Sequence, residues 1–154
     1  FFKKQNIDEK TITKIKKKKT EFLLSDPNEI YFMEGAEKMI DWIHKNNISH
    51  CVVTNTSLTV INHFKSKCSS LNHLKHRITR EDYKNPKPHS DGYQLAVQRY
   101  GKNKKYLIGF ENTWNGFRAL QPITSIIYLF CNNSHAVNDF RKEDVYLINH
   151  FNDL

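Results

Sequence analysis

Three polar clusters in this sequence contain the residue types that transfer a phosphoryl group. Thr54 and Asn55 follow a β-branched run, and Lys87 lies in a loop with two prolines. Glu111 and Asn112 end a short apolar run. A hydroxyl, an amide and a lysine can bind phosphoryl oxygens and offset their charge, and a carboxylate beside an amide oxygen can hold a hard cation such as Mg²⁺. This combination predicts a magnesium-dependent phosphoryl-transfer site.

The segments that would position these clusters are strand-like runs that alternate with helix-like ones. Three short apolar or β-branched runs, at Val52–Val53, residues 107–110 and residues 126–129, are typical of buried strands. The amphipathic segments between them indicate βαβ units and therefore an α/β fold with a mostly parallel sheet. We predict that these three runs are parallel strands of one sheet.

A parallel sheet would bring the polar clusters together. Ligands of open α/β sheets bind just beyond the carboxyl ends of the strands, so we expect Thr54, Lys87 and Glu111 to converge on one cleft. The alternative for the last cluster is a polar turn that leads into a helix, with Thr113 or Asn115 as the N-cap. On this stretch alone, a turn and a cap account for the polar residues without any chemistry.

Length and charge restrict the class of protein and its partners. The 154 residues suit one compact domain, and their net charge of +8 favours anionic partners such as phosphorylated metabolites, nucleic acid or acidic surfaces. Much of the excess lies at Lys14 and residues 16–19, in a helix-like segment. No aromatic residues are interleaved with these lysines, so the pattern favours a solvated helix face and argues against nucleic acid as a partner.

The cysteines indicate the compartment. Cys51, Cys68 and Cys131 are odd in number, and their spacing matches no zinc or redox pair. Cys51 and Cys131 lie in strand-like runs, where a reduced, buried thiol is the usual state. Reduced thiols suit a reducing, intracellular compartment, and we expect the cytoplasm. No apolar run is long enough to span a membrane, so we expect no membrane association. The sequence indicates no oligomeric state.

Three segments carry a resemblance to a known family. Residues 48–56 (ISHCVVTNT) form a hydrophobic strand that ends in Thr-Asn, residues 87–93 (KPHSDGY) approach the pattern Lys-Pro-x-Pro-Asp-x-Tyr, and residues 109–119 (GFENTWNGFRA) approach Phe-Glu-Asp-Ser followed by a glycine and a helix. In this order the chain resembles the haloacid dehalogenase-like (HAD) hydrolases, nearest the phosphatase and β-phosphoglucomutase-like branch. The resemblance implies a Rossmann-like three-layer sandwich over residues 29–154, with residues 1–28 as the C-terminal part of a helical cap.

The resemblance also implies a role for each residue of the polar clusters. Thr54 would hydrogen-bond the transferring phosphoryl group of a small phosphorylated substrate, and Asn55 would assist it. Lys87 would neutralise the phosphate and steady the nucleophile. Glu111 would help to hold Mg²⁺, and Asn112 stands where the family usually has a metal-binding aspartate. An amide oxygen can ligate Mg²⁺, but it brings no charge.

The largest departure from the family is its first motif. The family uses Asp-x-Asp after the first strand, with the first aspartate as nucleophile and the second as general acid and base. No Asp-x-Asp occurs in the 154 residues. We expect the missing strand, which would lie between Val52–Val53 and residues 107–110, and most of the cap to precede Phe1. These 154 residues alone should then be inactive as a phosphatase. The alternative is a non-catalytic binding or scaffold protein on the same fold.

Overall fold

The computed structural model, which describes residues 7–25, 31–130 and 145–153, consists of parallel sheets and helices. The helices are α1 (Glu9–Ser25), α2 (Ala36–Lys45), α3 (Leu58–Lys67), α4 (Asp91–Ala96, continued by a π-helical turn over Val97–Gly101) and α5 (Trp114–Leu120). The strands are β1 (Val52–Val53), β2 (Arg77–Ile78), β3 (Ile108–Glu111), β4 (Ile126–Phe130) and β5 (Tyr146–Ile148). Short 3₁₀ helices cover Ser69–His73, Arg80–Asp82 and Phe151–Asp153.

Every strand pair in the described residues is parallel. β1 pairs with β2, with Val53 opposite Ile78, and β3, β4 and β5 form a second sheet in that order. A helix connects β1 to β2 and another connects β3 to β4, as parallel pairs require. The predicted α/β class is therefore confirmed, and residues 146–148 form an edge strand.

The prediction of one sheet containing all three apolar runs is wrong. Val52–Val53 belongs to a two-stranded sheet, whereas the other two runs belong to a three-stranded one. Within the part of the chain that the structure describes, no strand pairs with the second edge of β1 or with the outer edge of β3. Apolar runs identify the segments that form strands. They do not identify the neighbour with which each strand forms backbone hydrogen bonds, and that neighbour decides how many sheets there are.

The expectation that the run before Glu111 is a buried strand holds for one face only. Gly109 and Glu111 are buried, but Ile108 and Phe110 keep 57% and 37% of their surface exposed. On the exposed face the ring of Tyr128 stacks on Phe110, with ring centroids 5.3 Å apart. Side chains alternate across a strand, so the two faces of β3 have different environments.

The core that supports β3 lies between α5 and β4. Phe117 and Leu120 of α5 pack with Ile127 and Leu129 of β4, and all four are at most 3% exposed. A methyl group added at Gly109 would overlap the Leu120 side chain, so the glycine allows the helix to approach the strand closely. Burial of one such side chain contributes about 2 kcal/mol. This packing fixes the start of α5 next to the end of β3.

The helix starts follow ordinary capping chemistry. Thr113 is the N-cap of α5, as predicted, because its side chain accepts a hydrogen bond from Gly116 N at 3.0 Å. Ser57 caps α3 in the same way through Val60 N. The predicted N-terminal helix begins at Glu9 within the described residues.

The N-terminal helix is solvated along its length. No described residue of α1 is buried, and the Lys17 ammonium lies 3.9 Å from the Glu21 carboxylate in an exposed pair. The expected solvated lysine face is confirmed. None of the described helices is both long and apolar enough to cross a membrane.

Candidate functional site

Glu111 is the buried acidic residue at the end of β3, with a side chain that is 7% exposed. Its Oε1 accepts hydrogen bonds from the Lys87 ammonium and from the Tyr93 hydroxyl. Its Oε2 accepts from the backbone N–H of Asn112 at 3.3 Å. A Cβ at Gly116 would overlap this carboxylate, so the sequence of the first turn of α5 makes room for it.

The Lys87 ammonium is surrounded by three oxygen atoms. It donates to the Val53 carbonyl oxygen at 2.9 Å, to the Tyr93 hydroxyl oxygen at 2.9 Å and to Glu111 Oε1. It also lies 4.7 Å from the centroid of the Tyr93 ring. Val53 is in β1 and Glu111 is in β3, so the lysine connects the open edges of the two sheets.

The residues after β1 hold the lysine loop. Asn55 Oδ1 accepts from Lys87 N at 3.1 Å and Asn55 Nδ2 donates to Lys87 O at 3.5 Å, so the amide pairs with the backbone of Lys87 on both sides. Thr54 Oγ1 accepts from Thr56 N at 3.0 Å. A hydroxyl that accepts from the backbone still has its own proton to donate. Thr54 therefore keeps a donor at the end of β1.

Two tyrosines that the sequence analysis did not single out complete the site. The Tyr83 hydroxyl lies 2.8 Å from Thr54 O and 2.7 Å from Asn55 Oδ1, and it shares its one proton between these acceptors. The Tyr93 hydroxyl contacts Lys87 and Glu111. The sequence did contain a signal for Tyr93, because this residue ends the segment KPHSDGY that begins with Lys87. A buried tyrosine in such a segment needs a partner for its hydroxyl.

Burial controls the protonation of both tyrosines. Burial, reinforced by the charge of Glu111, raises the pKa of Tyr93 far above its ordinary value. Burial also raises the pKa of Tyr83. A tyrosine hydroxyl is protonated at neutral pH, and these shifts extend the protonated form to higher pH, so both hydroxyls act as hydrogen-bond donors.

The structure brings together most of the predicted site residues. Lys87 and Glu111 are in direct contact, Asn55 holds the backbone of Lys87, and Thr54 directly follows the residue whose carbonyl binds the lysine. Asn112 is exposed beside Glu111. The catalytic and binding roles of these five residues stay predictions.

The oxygen atoms of Glu111 and Asn112 are of the chemical type that binds a hard cation. Mg²⁺ binds carboxylate and amide oxygens and commonly keeps several waters, so Glu111 and Asn112 can supply protein ligands of the right type. Within the described ranges no group of three or more His, Cys, Asp or Glu residues could hold a metal ion. Among the described residues, this position thus offers one charged ligand, Glu111, which is also the partner of Lys87.

The sequence is similar to a known protein family. A family model described as haloacid dehalogenase-like hydrolase matches residues 1–121. No curated protein matches the chain significantly.

Solved structures share the fold. CbbY from Rhodobacter sphaeroides, in complex with xylulose-(1,5)bisphosphate, is 22% identical with a TM-score of 0.78, over 97% of this chain and 68% of that one. A HAD hydrolase of family IA, variant 3, from Entamoeba histolytica HM-1:IMSS is 19% identical with a TM-score of 0.75, over 96% and 69%. A putative β-phosphoglucomutase from Thermotoga maritima is 17% identical with a TM-score of 0.66, over 96% and 69%.

Proposed function

The chain belongs to the haloacid dehalogenase-like hydrolase family, and from this we propose that it carries the phosphoryl-binding site of a magnesium-dependent phosphatase or phosphomutase. Its substrate would be a small phosphorylated metabolite. The observation that carries the proposal is the buried Lys87–Glu111 pair, which lies where β1 and β3 end, with the Lys87 ammonium bound to the carbonyl of Val53, the residue before Thr54. Similar folds in complex with xylulose-(1,5)bisphosphate and with phosphate support this substrate class.

Each residue has a distinct part in the proposed mechanism. Lys87 would bind the phosphoryl oxygens and offset the charge that develops on them, and Thr54 would donate a hydrogen bond to one of these oxygens. Asn55 would keep the Lys87 loop in place through its two backbone contacts. Glu111 and Asn112 would hold Mg²⁺. When bound, this ion would supply further charge stabilisation for the phosphoryl group.

The nucleophile is the part that the described residues do not supply. Lys87 binds and polarises a phosphate but does not attack it, and Thr54 has no described base beside its hydroxyl. We propose that a strand with Asp-x-Asp, outside the 154 residues, pairs with the open edges of β1 and β3. Its first aspartate would attack phosphorus, form an aspartyl-phosphate and expel the leaving oxygen, which takes a proton from the second aspartate.

The remaining proposals concern organisation and compartment. We propose that residues 1–28 end a helical cap and that residues 29–154 form the catalytic core, although this boundary lies outside the described residues. The absence of buried residues in α1 is consistent with a cap helix at the surface of the core. Cys51 and Cys68 are free thiols, which supports a reducing, cytoplasmic location.

Hydrolysis of an aryl phosphate with titrated Mg²⁺ tests the proposal. We expect no turnover by residues 1–154 and magnesium-dependent turnover by a longer chain that includes the proposed Asp-x-Asp strand. Lys87→Met in the active form should abolish turnover. Lys84→Met, which removes an exposed lysine of the same loop, should not. Robust turnover by residues 1–154 alone would overturn the mechanism.

A non-catalytic binding protein on the same fold is the second candidate. Two observations favour it: Asn112 stands at the usual position of an aspartate, and the three N–H groups of Lys87 already have acceptors within the chain. Phosphate binding without turnover of a broad panel of phosphate esters by the natural protein would select this candidate.

A further inference from the structure

The ammonium of Lys87 has no spare donor in this structure. An ammonium carries three N–H groups, and the three acceptors here are the Val53 carbonyl, the Tyr93 hydroxyl and the Glu111 carboxylate. A phosphoryl oxygen can therefore bind Lys87 only if it displaces one of them. Glu111 is the acceptor that would repel a phosphate, because both are anions.

Glu111 is engaged in the same way. Its Oε1 accepts from Lys87 and Tyr93, and its Oε2 accepts from Asn112 N. A cation that binds this carboxylate must compete with the ammonium for Oε1. Both side chains are largely buried, at 14% and 7% exposed, so separating them without a substitute partner for each is costly.

We propose that the Lys87–Glu111 pair is a latch that makes phosphate binding depend on cation binding. A divalent cation on Glu111 releases the ammonium for phosphate, and phosphate on Lys87 releases the carboxylate for the cation. The cation takes the place of Lys87 beside Glu111, and phosphate takes the place of Glu111 beside Lys87. Each ligand therefore makes binding of the other easier, so the two bind with positive cooperativity. Thermodynamic linkage requires that this effect be equal in both directions. This inference rests on the proposed function, because it assumes that Lys87 binds phosphate.

Tyr93 acts on the latch as a positioning residue. Its hydroxyl contacts both members of the pair, and its ring lies beside the ammonium. The hydroxyl donates to Glu111 and so holds the carboxylate against the lysine. Removing only the hydroxyl should weaken the closed latch and leave the ring packing in place.

The test is titration of inorganic phosphate into residues 1–154 by calorimetry, with EDTA or with magnesium at matched ionic strength. For the wild-type chain we expect magnesium to tighten phosphate binding about tenfold, within the usual range of coupling between sites. Glu111→Gln should tighten metal-free phosphate binding by a similar factor and remove most of the magnesium effect. Glu21→Gln, the same charge change on the exposed surface of α1, should change neither.

A direct attraction between Mg²⁺ and phosphate could also produce cooperativity, and the metal-free arm separates the two causes. Only the latch predicts that Glu111→Gln binds phosphate more tightly when no metal is present. Tyr93→Phe should have the same effect at a few-fold, because it removes one hydrogen bond and no charge. If Glu111→Gln does not fold, the metal-free phosphate affinity of Tyr93→Phe tests the latch in its place.

The remaining outcomes are decisive. If these variants bind metal-free phosphate no more tightly than the wild type, the latch is wrong and the proposed phosphate site stands. If no version of the chain binds phosphate with or without magnesium, both the latch and the proposed function are wrong.

Discussion

Gly116 is the position at which a single methyl group probes the Lys87–Glu111 pair. The glycine lies in the first turn of α5, and a Cβ there would overlap the Glu111 carboxylate. The helix cannot retreat easily, because its next residue, Phe117, is 1% exposed and packed in the core. Gly116→Ala should therefore move the carboxylate away from Lys87 and leave the helix in place.

The expected loss of stability follows from two opposing effects. Breaking a buried ion pair costs about 3–5 kcal/mol, because it leaves charges without partners. Alanine in place of glycine inside a helix stabilises by about 1 kcal/mol. Ion-pair loss dominates, so Gly116→Ala should lower the free energy of unfolding by roughly 2–4 kcal/mol. For a chain of this size the Tm should fall by roughly 5–15 °C.

Urea denaturation followed by far-ultraviolet circular dichroism measures this change. The matched control is Gly101→Ala, where the new Cβ would lie 3.3 Å from the nearest atom, Val97 Cγ1, and a small shift accommodates it. The control should change the free energy of unfolding by less than about 1 kcal/mol. If Gly116→Ala is as stable as the control, Glu111 does not lie against the helix as described and the reasoning is refuted.

Three further substitutions extend the account. Leu129→Ala should destabilise the chain by about 2–5 kcal/mol in urea denaturation, because Leu129 is fully buried; a loss below 1 kcal/mol would contradict the described core. Asn112→Asp should raise magnesium affinity, measured by calorimetry, because it adds a charged ligand; unchanged affinity would exclude this position from the cation site. Burial raises the pKa of Cys51 to about 11, so the folded state keeps a proton that the unfolded state loses near pH 9. The stability that this thiol contributes is complete below pH 9 and is lost between pH 9 and 11, and Cys51→Ala should flatten that part of a plot of stability against pH.

Local chemistry made part of the structure predictable. A β-branched run indicated β1, and Thr113 was one of two N-cap candidates, of which the structure shows Thr113 accepting a hydrogen bond from a backbone N–H three residues away. The polar residues that end strands marked the candidate site. These features depend on neighbours in sequence. The α/β class followed from the order of such segments.

Long-range packing decided the features that the sequence did not reveal. Whether β1 pairs with β2 or lies beside β3 depends on edges that are distant in sequence, and the pattern of β1 carries no information about them. The positions of the Tyr83 and Tyr93 hydroxyls depend on how α4 and the loop before it pack against the strand ends. The sequence therefore predicted that Lys87 and Glu111 would lie close together, but it did not predict that all three N–H groups of the Lys87 ammonium would have acceptors.

The central claim is that a phosphoryl group binds between Thr54 and Lys87. The most direct test is the crystal structure of residues 1–154 grown with magnesium and tungstate, a heavy analogue of phosphate whose position is visible in anomalous scattering. We predict a bound tungstate with oxygens about 3 Å from Thr54 Oγ1 and Lys87 Nζ, at ordinary hydrogen-bond distance. Tungstate bound only elsewhere, for example along the exposed lysines of α1, would contradict the claim.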